Sequence, residues 1–207
     1  ELAQKFNEML DQMEELKQKE YQAKQLLNRA EYKALQAQVN PHFLYNTLDT
    51  MASIAEIRNC PEVSHMSQSL ALIFRYSLNM KDPFSTVENE IAHLKNYIYV
   101  MDMRMHDNIQ YTFDVDEMTL KSKLPRLSLQ PIVENAINHG LRNKRGKKKI
   151  GIQIKREQMD LVICIEDNGI GLDTSAINES LRKNELDFVE KGNSIGLHNI
   201  NARLKML

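Results

Sequence analysis

Residues 129–140 read LQPIVENAINHG, which combines an apolar face and a polar face in one predicted helix. On a helix, its apolar side chains share one face, which comprises Leu129, Val133, Ala136 and Ile137. Its polar side chains project from another face, which comprises Glu134, Asn135, Asn138 and His139. We therefore predict an amphipathic helix over residues 126–138, with Pro125 before it and Gly140 as its C-terminal cap.

Segments that alternate apolar with polar residues lie on both sides of this helix. Residues 109–115 precede it, and residues 149–156 and 160–167 follow it as two β-branched runs separated by a short polar turn. This pattern predicts one strand before the helix and a β-hairpin after it. Together with helices expected over residues 87–105 and from residue 194, the strands predict a layered α+β domain.

The first half of the chain is predicted to be helical. From Leu2 to Ala37 the apolar residues recur in steps of four and three, which is the repeat of a coiled coil. A lone helix gains little from such a stripe, so a partner helix is implied. We predict a coiled coil over residues 1–37, a dimerising helical hairpin over residues 38–82 and the α+β domain over residues 83–207.

The hairpin is expected to pair with a second copy. Its second helix is predicted over residues 62–79, with Met66, Leu70, Ile73 and Phe74 facing inward. Two hairpins side by side would form a four-helix bundle in a homodimer. Pro41 falls inside the predicted first helix, where a proline costs about 3 kcal/mol, so we predict a kink there.

Composition excludes several classes of protein. Lys and Arg number 27 against 28 Asp and Glu, a net charge of -1, so no global basic field would hold nucleic acid or an anionic membrane. The two cysteines, Cys60 and Cys164, have neither metal-ligand spacing nor a disulfide framework. No apolar run approaches the roughly 20 residues that span a bilayer.

Residues 40–48, NPHFLYNTL, contain a candidate nucleophile. His42 falls one position past the apolar seam, on a flank that faces solvent, and Asn46 lies one helical turn later. A neutral imidazole is a competent nucleophile near pH 7, and a neighbouring acceptor can orient it. The alternative is an ordinary solvated histidine.

Three further motifs suit a nucleotide. The carboxamides of the Asn135 face offer oxygen atoms to Mg²⁺ and phosphate, although a polar outer face is the alternative. Residues 167–171, DNGIG, end a strand with a carboxylate that can accept from an exocyclic amine, although this is also common turn chemistry. Residues 192–199, GNSIGLHN, open a helix whose free amides can meet phosphate.

Together these motifs resemble those of sensor histidine kinases of the LytS and YesM type, the receptors of two-component systems. Residues 40–48 are similar to the phosphoacceptor signature and residues 130–140 to the N box. Residues 167–171 and 195–204 are similar to the first and second glycine boxes. The resemblance implies a dimeric helical hairpin followed by a Bergerat-type (GHKL) α/β sandwich that binds ATP.

The resemblance also implies roles for individual residues. His42 would be the phosphoacceptor, Asn135 the Mg²⁺ ligand and Asp167 the adenine anchor, with residues 173–193 as a lid. Asn46 and Glu134 are the candidates for the base that assists His42. The remaining nucleotide-binding residues implied are Asn138, His139, Arg142, Gly169, Gly171, Gly196, Leu197 and Asn199.

The implied activity is autophosphorylation by ATP and Mg²⁺, followed by transfer to an aspartate of a response regulator. Residues 1–10 resemble the end of a HAMP relay, so the chain is expected to be the cytoplasmic region of a membrane-anchored bacterial sensor. The family's sandwich usually has two more strands after the second glycine box, and we expect these to be missing here. The alternatives are a nucleotide-binding scaffold without phosphotransfer and a structural coiled-coil adaptor.

Departures from the family pattern affect individual contacts. Asn138 stands where relatives commonly have Lys, so a phosphate contact is expected from Arg142, Lys144 or Arg145 instead. Related ATPases that use water carry a carboxylate at the position of Pro131, so water activation is expected to be poor.

Overall fold

The computed structural model of the protein describes residues 13, 16, 17, 19, 20, 24, 40–78, 82–105, 108–171 and 195–205. The coiled coil predicted over residues 1–37 lies outside the described residues except for a few helical positions, and the lid predicted over residues 173–193 lies entirely outside them. The chain forms two compact units, residues 1–47 and 48–207. None of the described helices is both long and apolar enough to cross a membrane.

Helix α1, Pro41–Ile57, begins at the proline. Asn40 caps it, since its Oδ1 accepts from the Phe43 backbone N–H at 3.2 Å and its carbonyl accepts from Leu44 at 3.2 Å. Pro41 is therefore the first helical residue, where the missing N–H would have had no partner in the helix. The residues directly before Asn40 lie outside the described ones, so the kink predicted at Pro41 in a longer helix stays a prediction.

Helix α2, Pro61–Leu78, follows the turn at Asn59, as predicted. Its buried residues are small, namely Ser64, Ser67, Ser69 and Ala71. The apolar side chains expected to face inward, Met66, Leu70, Ile73 and Phe74, are only half-buried. Small side chains occupy the face of α2 that is buried within one chain, and the inward position of the four apolar side chains in a dimeric bundle stays a prediction.

Helix α3, Val87–Met105, has the bounds that the sequence predicts, and α2 packs along it. The rings of His65 and Tyr99 lie 4.0 Å apart, and those of Tyr76 and His93 lie 4.4 Å apart. The order of these contacts shows that α2 and α3 are antiparallel. Strands β1, Phe84–Thr86, and β3, Lys123–Pro125, pair antiparallel and were not predicted.

The main sheet contains β2, Ile109–Val115, β4, Lys148–Glu157, and β5, Asp160–Asp167. The order is β2-β4-β5, with β2 parallel to β4 and β4 antiparallel to β5. The predicted strand and hairpin are confirmed to within one residue. The main core lies between the sheet and the helices.

The core confirms the layered α+β class. Ile150, Ile152 and Ile154 alternate along β4 and are fully buried. Helical residues complete the core, namely Leu94, Leu129, Val133, Ile137 and Leu141. Burying each such side chain contributes roughly 1.5–3 kcal/mol, so this layer holds the candidate site in place.

The helix predicted over residues 126–138 differs from the prediction at both ends. Helix α4 spans Leu129–Asn135 and continues into a π-helical turn, Ala136–Leu141. Gly140 lies inside this turn and is not a C-terminal cap, since the cap position falls at Arg142. The last described helix, α5, spans Ile195–Leu204, as expected, and buries Ile200.

Candidate functional site

A cavity of about 160 Å³ lies between α4 and the end of β5. This volume is smaller than the roughly 300–1,000 Å³ of pockets for drug-sized ligands, and it suits a planar ring rather than a whole nucleotide. The lining residues come from two stretches of the chain that are distant in sequence, and they are Ile132, Asn135, Ala136 and Gly140 of residues 132–140, and Ile165, Asp167 and Gly171 of residues 165–171.

Asn135 is the last residue of α4 and lines the cavity. Its Nδ2 atom is buried and has no hydrogen-bond partner among the described residues. A buried polar group without a partner costs about 1–3 kcal/mol, so an oxygen-rich ligand would relieve an existing penalty. This side chain therefore fits a polar ligand.

Asp167 ends β5 and places its carboxylate at the cavity. Its Oδ1 accepts from the Gly169 backbone N–H at 2.8 Å, which fixes the carboxylate within the turn. An ionised carboxylate only accepts hydrogen bonds, so it suits a ligand that presents an N–H group. The exocyclic amine of adenine is such a donor.

Two glycines bring the Asp167 turn onto the π-helical turn. A Cβ atom on Gly140 would lie 2.6 Å from Asp167 Oδ1, and one on Gly169 would lie 2.2 Å from the Gly140 carbonyl oxygen. That carbonyl also accepts from the Ile170 N–H at 3.1 Å. No larger residue fits either position without displacing the carboxylate or the backbone. Gly171 has a φ of 75°, which favours glycine.

The Asn168 side chain forms hydrogen bonds on the other side of the same turn. Its Oδ1 accepts from the Lys149 backbone N–H at 2.9 Å, and its Nδ2 donates to the Lys147 carbonyl at 3.1 Å. Lys144, one of the expected phosphate contacts, donates its Nζ to the Asn168 carbonyl. The turn is thus tied to the start of β4 and to the loop before it.

Several predicted site residues lie beside the cavity lining and not in it. Glu134 is half-buried near Tyr97, where burial first and the Glu134 charge second raise the pKa of the tyrosine. Asn138 and His139 are half-buried in the π-helical turn, and Arg142 is exposed. The side chains of Gly196, Leu197 and Asn199, at the start of α5, lie outside the described residues, so their contacts stay predictions.

His42 belongs to the other unit, near the start of α1, and is exposed as predicted. Its Nδ1 lies 3.2 Å from the Asn46 side-chain nitrogen. An amide turned by 180° makes the same contact with its oxygen, which then accepts from Nδ1–H and leaves a lone pair on Nε2. The contact between Asn46 and Nδ1 can therefore fix the tautomer of the His42 ring, and the orientation of the amide decides which nitrogen carries the proton.

The sequence analysis missed the apolar lining and the anchor of α4. Ile132 and Ile165 line the cavity, although they resemble ordinary core residues in the sequence. Their spacing was the available signal, since they lie three and two residues before Asn135 and Asp167 respectively. The anchor is Glu90 of α3, whose Oε2 accepts from the Ser128 and Leu129 backbone N–H groups at 2.8 and 3.2 Å.

Two protein families match the chain. The histidine kinase family matches residues 30–109. The family of histidine kinase-, DNA gyrase B-, and HSP90-like ATPases matches residues 123–207. The second match contains every residue that lines the cavity, and it confirms the predicted ATP-binding class of the α/β sandwich.

Individual sensor kinases are similar over most of the chain. The sensor histidine kinase YesM of Bacillus subtilis (strain 168) is 32% identical over 201 residues, which cover 97% of this chain and 33% of the relative. YpdA of Escherichia coli (strain K12) is 34% identical, over 90% of this chain and 32% of the relative. LytS of Oceanobacillus iheyensis is 33% identical, over 87% of this chain and 31% of the relative. The chain therefore spans about a third of the length of these relatives.

Proposed function

Because the chain belongs to the sensor histidine kinase family, we propose that it phosphorylates its own His42 with ATP and passes the phosphoryl group to an aspartate of a response regulator. The observation that carries this proposal is the cavity, which gathers a fixed carboxylate, close-packed glycines and an asparagine whose buried Nδ2 has no hydrogen-bond partner among the described residues.

In this proposal the cavity receives the adenine ring. Ile132, Ala136 and Ile165 supply apolar surface for the ring, and Asp167 accepts from its exocyclic amine. Guanine has a carbonyl where adenine has this amine, so it would bring an acceptor towards a carboxylate. We therefore expect the site to prefer ATP to GTP.

The triphosphate would lie beyond the base, with Mg²⁺ held by the Asn135 side-chain oxygen. Mg²⁺ usually takes only one or two protein ligands, the others being water and phosphate oxygens, so one asparagine suffices. The bound ion neutralises the charge on the phosphates. We assign further phosphate contacts to Asn138, His139, Arg142 and the second glycine box, namely Gly196, Leu197 and Asn199.

His42 would act as the nucleophile through Nε2. As the nitrogen–phosphorus bond forms, the bond from the γ-phosphorus to the bridging oxygen breaks and ADP leaves with the electron pair. Asn46 Oδ1 would accept from Nδ1–H and hold the reactive tautomer, and Glu134 is the alternative assisting group. Asn46→Asp, which can only accept, should keep autophosphorylation, whereas Asn46→Leu should lower its rate.

The partners are proposed on the same basis. Large apolar side chains are exposed along the hairpin, which supports pairing with a second copy, and they include Met51, Ile54 and Leu72. The response regulator would receive the phosphoryl group, and the sensor would be anchored in a membrane by other segments.

Nucleotide binding tests the role of the cavity. We would titrate the protein with ATP and GTP in the presence of Mg²⁺, and repeat this with Asp167→Asn. We expect ATP to bind more tightly than GTP, and Asp167→Asn to weaken ATP binding and reduce the preference. Asp114→Asn, an exposed aspartate on β2, is the matched control and should change neither value. Equal affinity of the parent for both nucleotides would contradict the assignment of the base.

A further inference from the structure

Glu90 is fully buried in α3, and both of its carboxylate oxygens accept hydrogen bonds. Oε1 accepts from the Tyr76 hydroxyl at 2.5 Å and from the Leu127 backbone N–H at 2.7 Å. Oε2 accepts from the N–H groups of Ser128 and Leu129. These bonds compensate for burying a charge, which without partners would be strongly unfavourable.

The carboxylate replaces the usual side-chain cap at the start of α4. The N-cap residue Ser128 makes no capping bond with its own side chain, because its Oγ donates to the Pro125 carbonyl at 2.6 Å. Leu127 has a φ of 59°, a conformation that is unfavourable for leucine. Glu90 therefore stabilises both the unusual turn and the first N–H groups of the helix that ends at Asn135.

Tyr76 connects this cap to the hairpin, since it lies near the end of α2. The Arg126 guanidinium lies 4.4 Å from the centre of the Tyr76 ring, and its Nη1 donates to the Tyr76 carbonyl at 3.1 Å. The His93 ring is stacked on Tyr76, and its Nε2 lies 2.6 Å from Gln130 Oε1 in the first turn of α4. Arg203 of α5 donates to the Arg126 carbonyl at 3.1 Å.

We propose that Tyr76 and Glu90 are positioning residues through which the second hairpin helix sets the placement of α4, and with it the affinity of Asn135 and the cavity for nucleotide. This proposal rests on the proposed function. A shift of α2 moves the Tyr76 hydroxyl, the hydroxyl moves or releases Glu90 Oε1, and the cap of α4 responds. Movement in the phosphoacceptor hairpin and nucleotide affinity are thereby linked, and by reciprocity nucleotide binding biases the hairpin.

Two substitutions separate this link from general stability. Tyr76→Phe removes one hydroxyl and keeps the ring that contacts Arg126 and His93. Glu90→Gln keeps the shape of the side chain, but in either orientation its NH₂ group must face N–H or O–H donors, because both carboxylate oxygens accept. Tyr99→Phe is the matched control, since Tyr99 is a half-buried tyrosine at the same interface of α2 and α3.

The test measures the dissociation constant of ATP with Mg²⁺ and the hydrogen exchange of residues 127–135 without nucleotide. We expect Tyr76→Phe to raise the dissociation constant at least threefold and to speed exchange in this segment, while Tyr99→Phe changes each by less than twofold. Glu90→Gln, if it folds, should also raise the dissociation constant of ATP and speed exchange in this segment. In the double variant, the increase in the dissociation constant should be smaller than the product of the increases in the two single variants.

The outcomes are distinguishable. Unchanged affinity and unchanged exchange in Tyr76→Phe would overturn the link, and so would equal effects in Tyr99→Phe. Faster exchange with unchanged affinity would overturn the part that concerns nucleotide. If the parent binds no ATP, the proposed function fails, while the exchange of residues 127–135 still decides whether Tyr76 positions α4.

Discussion

The two ends of α4 differ in how their polar groups are satisfied. At the start, Glu90 accepts from the backbone N–H groups of three successive residues, 127–129. At the end, six residues later, the buried Asn135 Nδ2 has no hydrogen-bond partner among the described residues. One helix thus has an anchored start and an end that a ligand can complete. Stability and binding are thus assigned to opposite ends of the same short element.

The largest effect is expected from breaking the anchored end. We expect Glu90→Leu to lower the free energy of unfolding by about 3 kcal/mol, because it leaves three backbone N–H groups and a tyrosine hydroxyl without their acceptor. Denaturant unfolding followed by circular dichroism measures this. Glu88→Leu, an exposed residue of the same helix, should cost less than about 1 kcal/mol. Equal losses of unfolding free energy in the two variants would show that Glu90 stabilises the protein no more than an exposed glutamate does.

The second effect is expected where Gly140 closely approaches Asp167, near the Asn135 end of α4. Gly140→Ala places a Cβ 2.6 Å from Asp167 Oδ1, so we expect a loss of about 2 kcal/mol in stability together with weakened ATP binding. Gly151→Ala is the control, because its Cβ would meet Thr112 Oγ1 at an ordinary 3.5 Å. Its free energy of unfolding should stay within about 0.5 kcal/mol of the parent. Normal ATP affinity in Gly140→Ala would argue against the Asp167 position as part of the site.

At Asn135 itself, we expect nucleotide binding and stability to respond differently to a substitution. Asn135→Leu removes a buried Nδ2 group that has no hydrogen-bond partner among the described residues, so we expect stability to stay equal or to rise by up to about 1 kcal/mol. Nucleotide binding should nevertheless be lost, since the substitution removes the proposed Mg²⁺ ligand. Calorimetric titration and denaturant unfolding of the same samples measure both quantities. A large loss of stability would mean that Asn135 has a structural role. The control is Asn143→Leu, at an exposed position after the π-helical turn, which should change neither stability nor nucleotide binding.

The smallest effect is a pH dependence at the anchored end. Burial lowers the pKa of His93, with Gln130 and Glu90 opposing and Arg126 assisting, so its folded pKa lies below the unfolded value near 6.5. Below pH 6.5 the unfolded chain therefore binds more protons, and stability falls as the pH is lowered. We expect a decrease of only part of the roughly 1.4 kcal/mol per pH unit that one whole proton gives. His93→Gln should flatten the curve of midpoint against pH between 6.5 and 5, and an unchanged slope would contradict this.

The sequence predicted those elements whose pattern is local. Helix α3 and strand β2 have the predicted bounds because their apolar residues repeat with the helical and strand periods along one continuous segment. The cavity joins Asn135 to Asp167, and both were singled out because carboxamides and a carboxylate before glycines are typical of nucleotide sites.

What the sequence did not predict depends on distant contacts. The start of α4 is set by Glu90, which is 37 to 39 residues away in sequence, so no local capping signal revealed it. The role of Gly140 depends on Asp167, which approaches it only in the folded sheet. Strands β1 and β3 have three residues each and are too short for an alternating pattern to identify them.

The acid and base stability of the labelled protein tests whether His42 receives the γ-phosphoryl group of ATP. We would incubate the protein with γ-phosphate-labelled ATP and Mg²⁺, and then expose the labelled protein to acid and to base. We predict a label that is lost in acid, survives base and is absent from His42→Gln, while His65→Gln, an exposed histidine on α2, keeps it. A label that persists in His42→Gln, or no label despite ATP binding, would contradict the account and favour a nucleotide-binding scaffold.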